Sequence, residues 1–199
     1  SQLVILTLLT LYIAQIREID IEDAKVLVEQ LKNLSEYVKE ILKDDSLIKE
    51  VARHIKDFNS CFFIGRLVDS AVALEGALKL KEISYIHAEA KEAGELKHGT
   101  LALIEEGTPV ICLATQKEVE DKMHSNIMEV KARGGYIILL TNGEETSLGD
   151  KVIRVKNTHP YLSPILTVIP LQLLSYYTSV LRGINPDKPR NLAKSVTVE

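Results

Sequence analysis

The segment "SAVALEGALKLKEISYI" (residues 70–86) is apolar except for Glu75, Lys79 and Glu82, which share one stripe at i, i+4 and i+7, and Lys81, which falls on another face. Two acids and a lysine confined to one stripe of a mostly buried helix either form a salt-bridge ladder at an interface or line a polar site. In the second case a carboxylate can act as a general base. Spacing alone leaves both readings open. Further along, His98 stands between Lys97 and Gly99 in "AGELKHGT". A lone histidine near a turn is most often structural or exposed, but imidazole can also exchange a proton near neutral pH. His54, His87, His124 and His159 have no acid partner or metal spacing in the sequence to single them out. Finally, "PRNLAKSVTVE" (189–199) puts Lys194 among Leu192, Ala193, Val196 and Val198 behind the stiff entry of Pro189. Lys194 is either an ordinary surface lysine or a desolvated amine able to attack carbonyls.

The elements that must position these groups follow from hydrophobic period. "CFFIG" (61–65), "PVICLAT" (109–115), "YIILLT" (136–141) and "KVIRV" (151–155) are short, continuously apolar runs, with a further short strand expected in "HAEAKEAGE" (87–95). Helical patterns at 69–86, 117–133 and 164–182 separate them. Continuous apolar strands alternating with helices predict a parallel sheet covered on both faces, here an α/β, five-stranded, flavodoxin-like doubly wound sandwich. Two amphipathic helices precede it, in "DIEDAKVLVEQLKNLSEYVKEILKDD" and in "SLIKEVARHIKDF" with Ser46 as N-cap. Gly134 and Gly135 end a helix whose last turn carries Lys131 and Arg133.

The net charge of −4 gives no electrostatic reason to expect nucleic acid as a partner. Cys61 and Cys112 sit inside apolar strands and read as buried, reduced thiols of a cytoplasmic protein; neither has metal-ligand spacing, and neither a metal nor a cofactor is expected. The opening "LVILTLLTLYIAQI" (3–16) is shorter than the roughly 20 residues needed to span a bilayer, so no membrane is expected. A helix apolar all round has to be buried in protein, which suggests a chain that is one piece of a larger polypeptide or assembly.

In such sheets ligands bind at the C-terminal strand ends, where helix N-termini offer free N–H groups. The first loop there reads "IGRLVDSA", with Asp69 expected as an N-cap in the place an anion would want. The loop after 109–115 reads "LATQKEVED", again acidic and without a Ser-x-Ser. Gly65 is explained by a tight strand-to-helix turn. These loops are not expected to cradle a phosphate.

"ALEGALKLKEISYIHAEAKEAGELKHGTLALI" (73–104), "KARGG" (131–135), "PLQLLSYY" (170–177) and "PRNLAKSVTVE" closely resemble the glutamine–fructose-6-phosphate aminotransferase family. The resemblance runs from about residue 58 to the end. It is to the second of two sugar isomerase (SIS) modules in the isomerase half, plus the C-terminal tail. It implies connector helices over 1–57 from the end of a first module, a SIS domain over 58–185 and an active-site tail over 186–199. In the family, ammonia from a glutaminase domain reaches the isomerase half, which converts fructose 6-phosphate to glucosamine 6-phosphate. The resemblance implies that Glu82 moves the proton between C1 and C2, with Lys79 and Ala193 in contact with substrate. It implies that His98 serves ring opening in the neighbouring subunit of a homodimer, and that Lys194 meets the ketose carbonyl, with a Schiff base proposed. It also implies that the sugar phosphate is held by Ser/Thr-rich loops of the first module, so that the chain alone is inactive. Two other readings stand beside it. One is a non-catalytic sugar-phosphate-binding or dimerisation module, which would have no need of a base and a reactive lysine. The other is a different SIS-superfamily isomerase or deaminase, which the tail signature disfavours.

Overall fold

The five apolar runs form strands because their side chains find cover on both faces. In the computed structural model, which describes residues 2–20, 24–144 and 147–192, they are β1 (Ser60–Gly65), β2 (His87–Glu92), β3 (Pro109–Ala114), β4 (Tyr136–Thr141) and β5 (Lys151–Arg154). They pair in parallel in the order β2-β1-β3-β4-β5, the doubly wound arrangement expected from the sequence. Alternation divides them between two cores. Cys61, Phe63, Ile111, Leu113, Ile138 and Leu140 face one side. Phe62, Ile64, Val110, Cys112, Ile137 and Leu139 face the other.

The first core is covered by α3 (Ser46–Ile55), α4 (Val68–Ser84) and α6 (Ser163–Leu181), the second by α5 (Glu120–Lys131) and the 3-10 turns at Ala93–His98 and Thr100–Leu103. By length and composition α6 could cross a membrane, but half of it is buried in the fold, as befits a core helix. Ser46 is not the N-cap of α3: Asp45 precedes the first turn and pairs with Lys49 at 2.7 Å, while the Ser46 N–H donates to the Asp44 carboxylate at 3.0 Å. Two adjacent aspartates compete for the capping place, and the local turn gives it to the second.

Helix α1 (Gln2–Ile16) precedes α2 (Ala24–Lys43). Within this chain α1 buries only Ala14, leaving Leu3, Ile5, Leu6, Leu8, Leu9, Tyr12, Ile13 and Ile16 exposed. The cover that so apolar a helix demands is therefore not supplied by the described residues.

His54, near the end of α3, lies against the rings of Tyr136 and Phe58, with centroids 3.9 and 5.5 Å away. Its Nε2 is buried without a hydrogen-bond partner. Burial, then the charge of Lys151, holds the imidazole below its ordinary value of 6.5, against a smaller opposing pull from Asp150. The unfolded chain thus takes up this proton more readily, so the stability involved is whole above about pH 6.5 and declines as pH falls towards the lowered folded value. His54→Phe, which keeps the ring contacts, is expected to flatten the fall in thermal midpoint below about pH 6.5. Identical slopes in the two proteins would contradict this.

Candidate functional site

Helix α4 is pressed so closely between β1 and α6 that a Cβ on Gly76 would lie 2.6 Å from Leu171 Cδ1 and 3.0 Å from Phe63 Cε1. Val72, Ala73, Ala77 and Leu80 fill the same contact. With that face fixed, the polar stripe is fixed too. Lys79 Nζ donates to Glu82 Oε2 at 2.6 Å and stands 3.9 Å from Glu75 Oε1. The Lys79 and Glu82 side chains are about one-third exposed, at 33% and 31%. The structure thus shows the ladder of the two alternatives, a carboxylate and an ammonium paired on the outer face of α4 and both partly exposed.

The C-terminus of α4 is tied down by several bonds. Ser84 Oγ donates to the Leu80 carbonyl at 2.6 Å, and Ser179 Oγ of α6 donates to the Ile83 carbonyl at 2.8 Å. Tyr85 closes the helix in the left-handed region, φ 61°, where its N–H reaches the Lys81 carbonyl at 3.2 Å. On this tyrosine the end of the described chain is anchored. The Arg190 N–H donates to the Tyr85 hydroxyl at 2.7 Å, and the guanidinium lies over the ring, 4.2 Å from its centroid. Leu192 is half-exposed. Ala193 and Lys194, the tail residues of interest, lie outside the described residues.

His98 ends the turn that follows β2, its side chain 75% exposed and its Nε2 4.0 Å from Glu95. Because β1 and β2 are parallel, α4 runs back along the sheet, and Glu82 lies near the start of β2 while His98 lies beyond its end. A six-residue strand spans roughly 17–20 Å. The turn packs on the second core and α4 on the first, so within one chain Glu82 and His98 belong to elements on opposite faces of the sheet.

At the C-terminal strand ends Asp69 has a different role from the one expected. It is not the N-cap of α4; Leu67 holds that position and makes no side-chain cap. Asp69 is almost completely buried, 1% exposed, and reaches across to the loop after β3. The Thr115 N–H and hydroxyl donate to it at 2.7 and 2.6 Å, and Gln116 Nε2 at 3.4 Å. Gln116 Nε2 also donates to Ser163 Oγ at 3.2 Å, joining the start of α6 to the network. Burial pushes the Asp69 carboxyl up, opposed by the bonds from Thr115 and Gln116. These three donors are thus turned onto the protein's own carboxylate. Gly65 permits the tight turn, since a Cβ there would come within 2.6 Å of the Asp69 carbonyl.

Cys61 and Cys112 are free and buried, and burial raises both thiols, which keeps them protonated. Among the described residues no group of three or more His, Cys, Asp or Glu is placed to hold a metal ion. Sequence reasoning missed Tyr85, Arg190, Thr115 and Gln116. The Tyr85–Arg190 bond joins residues 105 apart in the chain, and no local pattern announces it.

Asp69→Ala would leave the buried Thr115 N–H without an acceptor and is expected to lower stability by about 1–3 kcal/mol, read in urea unfolding. Asp69→Asn, which keeps one acceptor oxygen, should lose less. An alanine variant as stable as the parent would contradict the role given to this carboxylate.

The SIS-domain family matches residues 54–182. Over the whole chain, the glutamine–fructose-6-phosphate aminotransferase (isomerizing) of Thermococcus kodakarensis is 51% identical, the match covering 33% of that protein. The corresponding enzyme of Caldanaerobacter subterraneus is 54% identical across 87% of this chain and 29% of its own length. The chain thus spans about a third of the length of the curated relatives it matches. The C-terminal domain of the glucosamine-fructose-6-phosphate aminotransferase of Francisella tularensis superposes with a TM-score of 0.84 at 38% identity, covering 92% of this chain and 53% of that one. A glucosamine-6-phosphate deaminase of Thermotoga maritima follows at 0.67 and 29% identity, covering 84% and 49%. With a doubly wound five-stranded sheet, a family match spanning all five strands and a relative 51% identical over the whole chain, the chain belongs to the SIS-domain family.

Proposed function

We propose that this chain is the second SIS module, with C-terminal tail, of the isomerase half of an enzyme that makes glucosamine 6-phosphate from fructose 6-phosphate and glutamine-derived ammonia. The observation that carries the proposal is the docking of Arg190 on Tyr85, three positions beyond Glu82 on the chain. Four residues of chain reach up to about 14 Å, so a tail starting from Tyr85 can bring Lys194 to a substrate held against the Lys79–Glu82 pair. In a contact module without chemistry, neither the exposed ion pair nor the tail lysine would have a task.

In this reading the Lys194 amine attacks the open-chain carbonyl at C2 and water leaves, giving an imine that ammonia then takes over from the lysine. With the imine nitrogen protonated, the Glu82 carboxylate removes a proton from C1, the double bond shifts to C1–C2 as the iminium becomes an amine, and the proton returns to C2. The hydroxyl proton at C1 is lost as that carbon becomes the aldehyde, and the amine remains at C2. Lys79, hydrogen-bonded to Glu82 at 2.6 Å, orients the carboxylate and offers its charge to the substrate's oxygens. Ala193 packs beside the bound sugar. His98 opens the sugar ring in the partner subunit of a homodimer; its exposure, and the packing of its turn on the opposite face of the sheet from α4, support that division. The phosphate is held outside this module, since Asp69 fills the anion position at the strand ends.

Glu82→Gln in the full-length enzyme is expected to lower glucosamine 6-phosphate formation by about 10²–10⁴-fold while glutamine hydrolysis continues. The same assay on the 199-residue chain alone should give little or no product. Equal loss of both activities in the variant, or robust conversion by the isolated chain, would contradict the proposal.

A further inference from the structure

His98 ends a six-residue 3-10 turn, a form whose own hydrogen bonds hold it weakly. If this imidazole is to meet a substrate in another subunit, the turn has to be held from outside. Its apolar side does part of this, with Ala93 and Leu96 both fully buried in the second core. The polar side is held by a second set of contacts. Glu92 accepts the Gly94 N–H at 2.8 Å through Oε2, and Arg66 approaches Oε1 of the same carboxylate at 3.6 Å. Arg66, leaving β1 just before α4, also donates from Nε to Oδ1 of buried Asn126 on α5 at 3.0 Å. A Cβ on Gly94 would fall 2.8 Å from both Arg66 Nη2 and Glu92 Oε2, so a glycine lets all three groups close up. One residue before His98, Lys97 pairs with Glu129 of α5 at 2.8 Å.

We propose that Arg66, acting through Glu92 and Gly94, is a positioning residue for His98: it locks the 93–98 turn to α5 so that the imidazole projects at a fixed place. The proposal rests on the ring-opening role given to His98 above. Arg66 itself touches no substrate. Its planar guanidinium satisfies an amide on α5 and a carboxylate at the start of the turn together, which a lysine's single ammonium cannot do in the same geometry.

The test is a double-mutant cycle in the full-length enzyme with Arg66→Met, His98→Ala and the pair. Arg66→Met is expected to lower kcat for glucosamine 6-phosphate formation on the order of 10–100-fold. KM for fructose 6-phosphate and the rate of glutamine hydrolysis should stay near the parent values. Arg66→Lys should recover part of the loss, and the double variant should be no slower than His98→Ala alone. If Arg66→Met does not fold, Gly94→Ala, which intrudes only on the Arg66 and Glu92 side chains, enters the same cycle in its place. Multiplying losses in the double variant, or an unchanged kcat in Arg66→Met or its substitute, overturns the positioning role and leaves that of His98 standing. Full activity in His98→Ala overturns the ring-opening role, and the positioning inference with it.

Discussion

The contact at Gly76 governs the geometry of this domain. Because α4 meets Phe63 of β1 and Leu171 of α6 at a glycine, it cannot rotate without driving side chains into the first core. An interior packed at crystal-like density does not absorb such a shift. The positions 75, 79 and 82 therefore face outward at a set angle, and the Lys79–Glu82 pair is held by a helix and not by a loop. Bonds from Ser84 and Ser179 then fix where that helix stops, and Tyr85 gives the returning chain a place to dock. Rigid support of this kind is what the proton transfer proposed for Glu82 would demand, since a small misplacement costs rate steeply.

The same winding accounts for what the domain lacks. A parallel β-α-β unit carries α4 back over the first core while the turn bearing His98 packs on the second, so the Lys79–Glu82 pair and that turn belong to elements on opposite faces of the sheet. At the strand ends, where related folds bind anions, Asp69 accepts the Thr115 N–H and hydroxyl. These two facts are why the proposed function places a neighbouring subunit and a separate phosphate-binding module beside this domain. The uncovered leucines and isoleucines of α1 add a third reason for further protein surface against it.

Much of the fold was legible from period and composition. The runs at 109–115 and 136–141 could only be strands covered on both faces, and their alternation into two cores follows from pleating alone. The stripe of Glu75, Lys79 and Glu82 was legible too, because helical spacing fixes which residues share a face. Legibility failed where a local signal competes with a distant one. Asp69 has the sequence position of a cap, yet its carboxylate turns to Thr115, 46 residues on. Ser46 has the residue type of a cap, yet Asp45 takes the place. The Tyr85–Arg190 and Arg66–Asn126 contacts join residues 105 and 60 apart, distances over which an isolated sequence gives no pairing rule. The roles proposed for Glu82, His98 and Lys194 rest on resemblance to a family; the residues alone offer only chemistry that could serve them.

The central claim is that the tail lysine and the carboxylate on α4 act on one sugar. Borohydride reduction of the full-length enzyme mixed with labelled fructose 6-phosphate, followed by peptide mapping, tests it most directly. The account predicts a stable adduct on Lys194, formed in the parent and still formed in Glu82→Gln, because the imine precedes the proton transfer. An adduct on Lys79 or another lysine, or none in either protein, would contradict it.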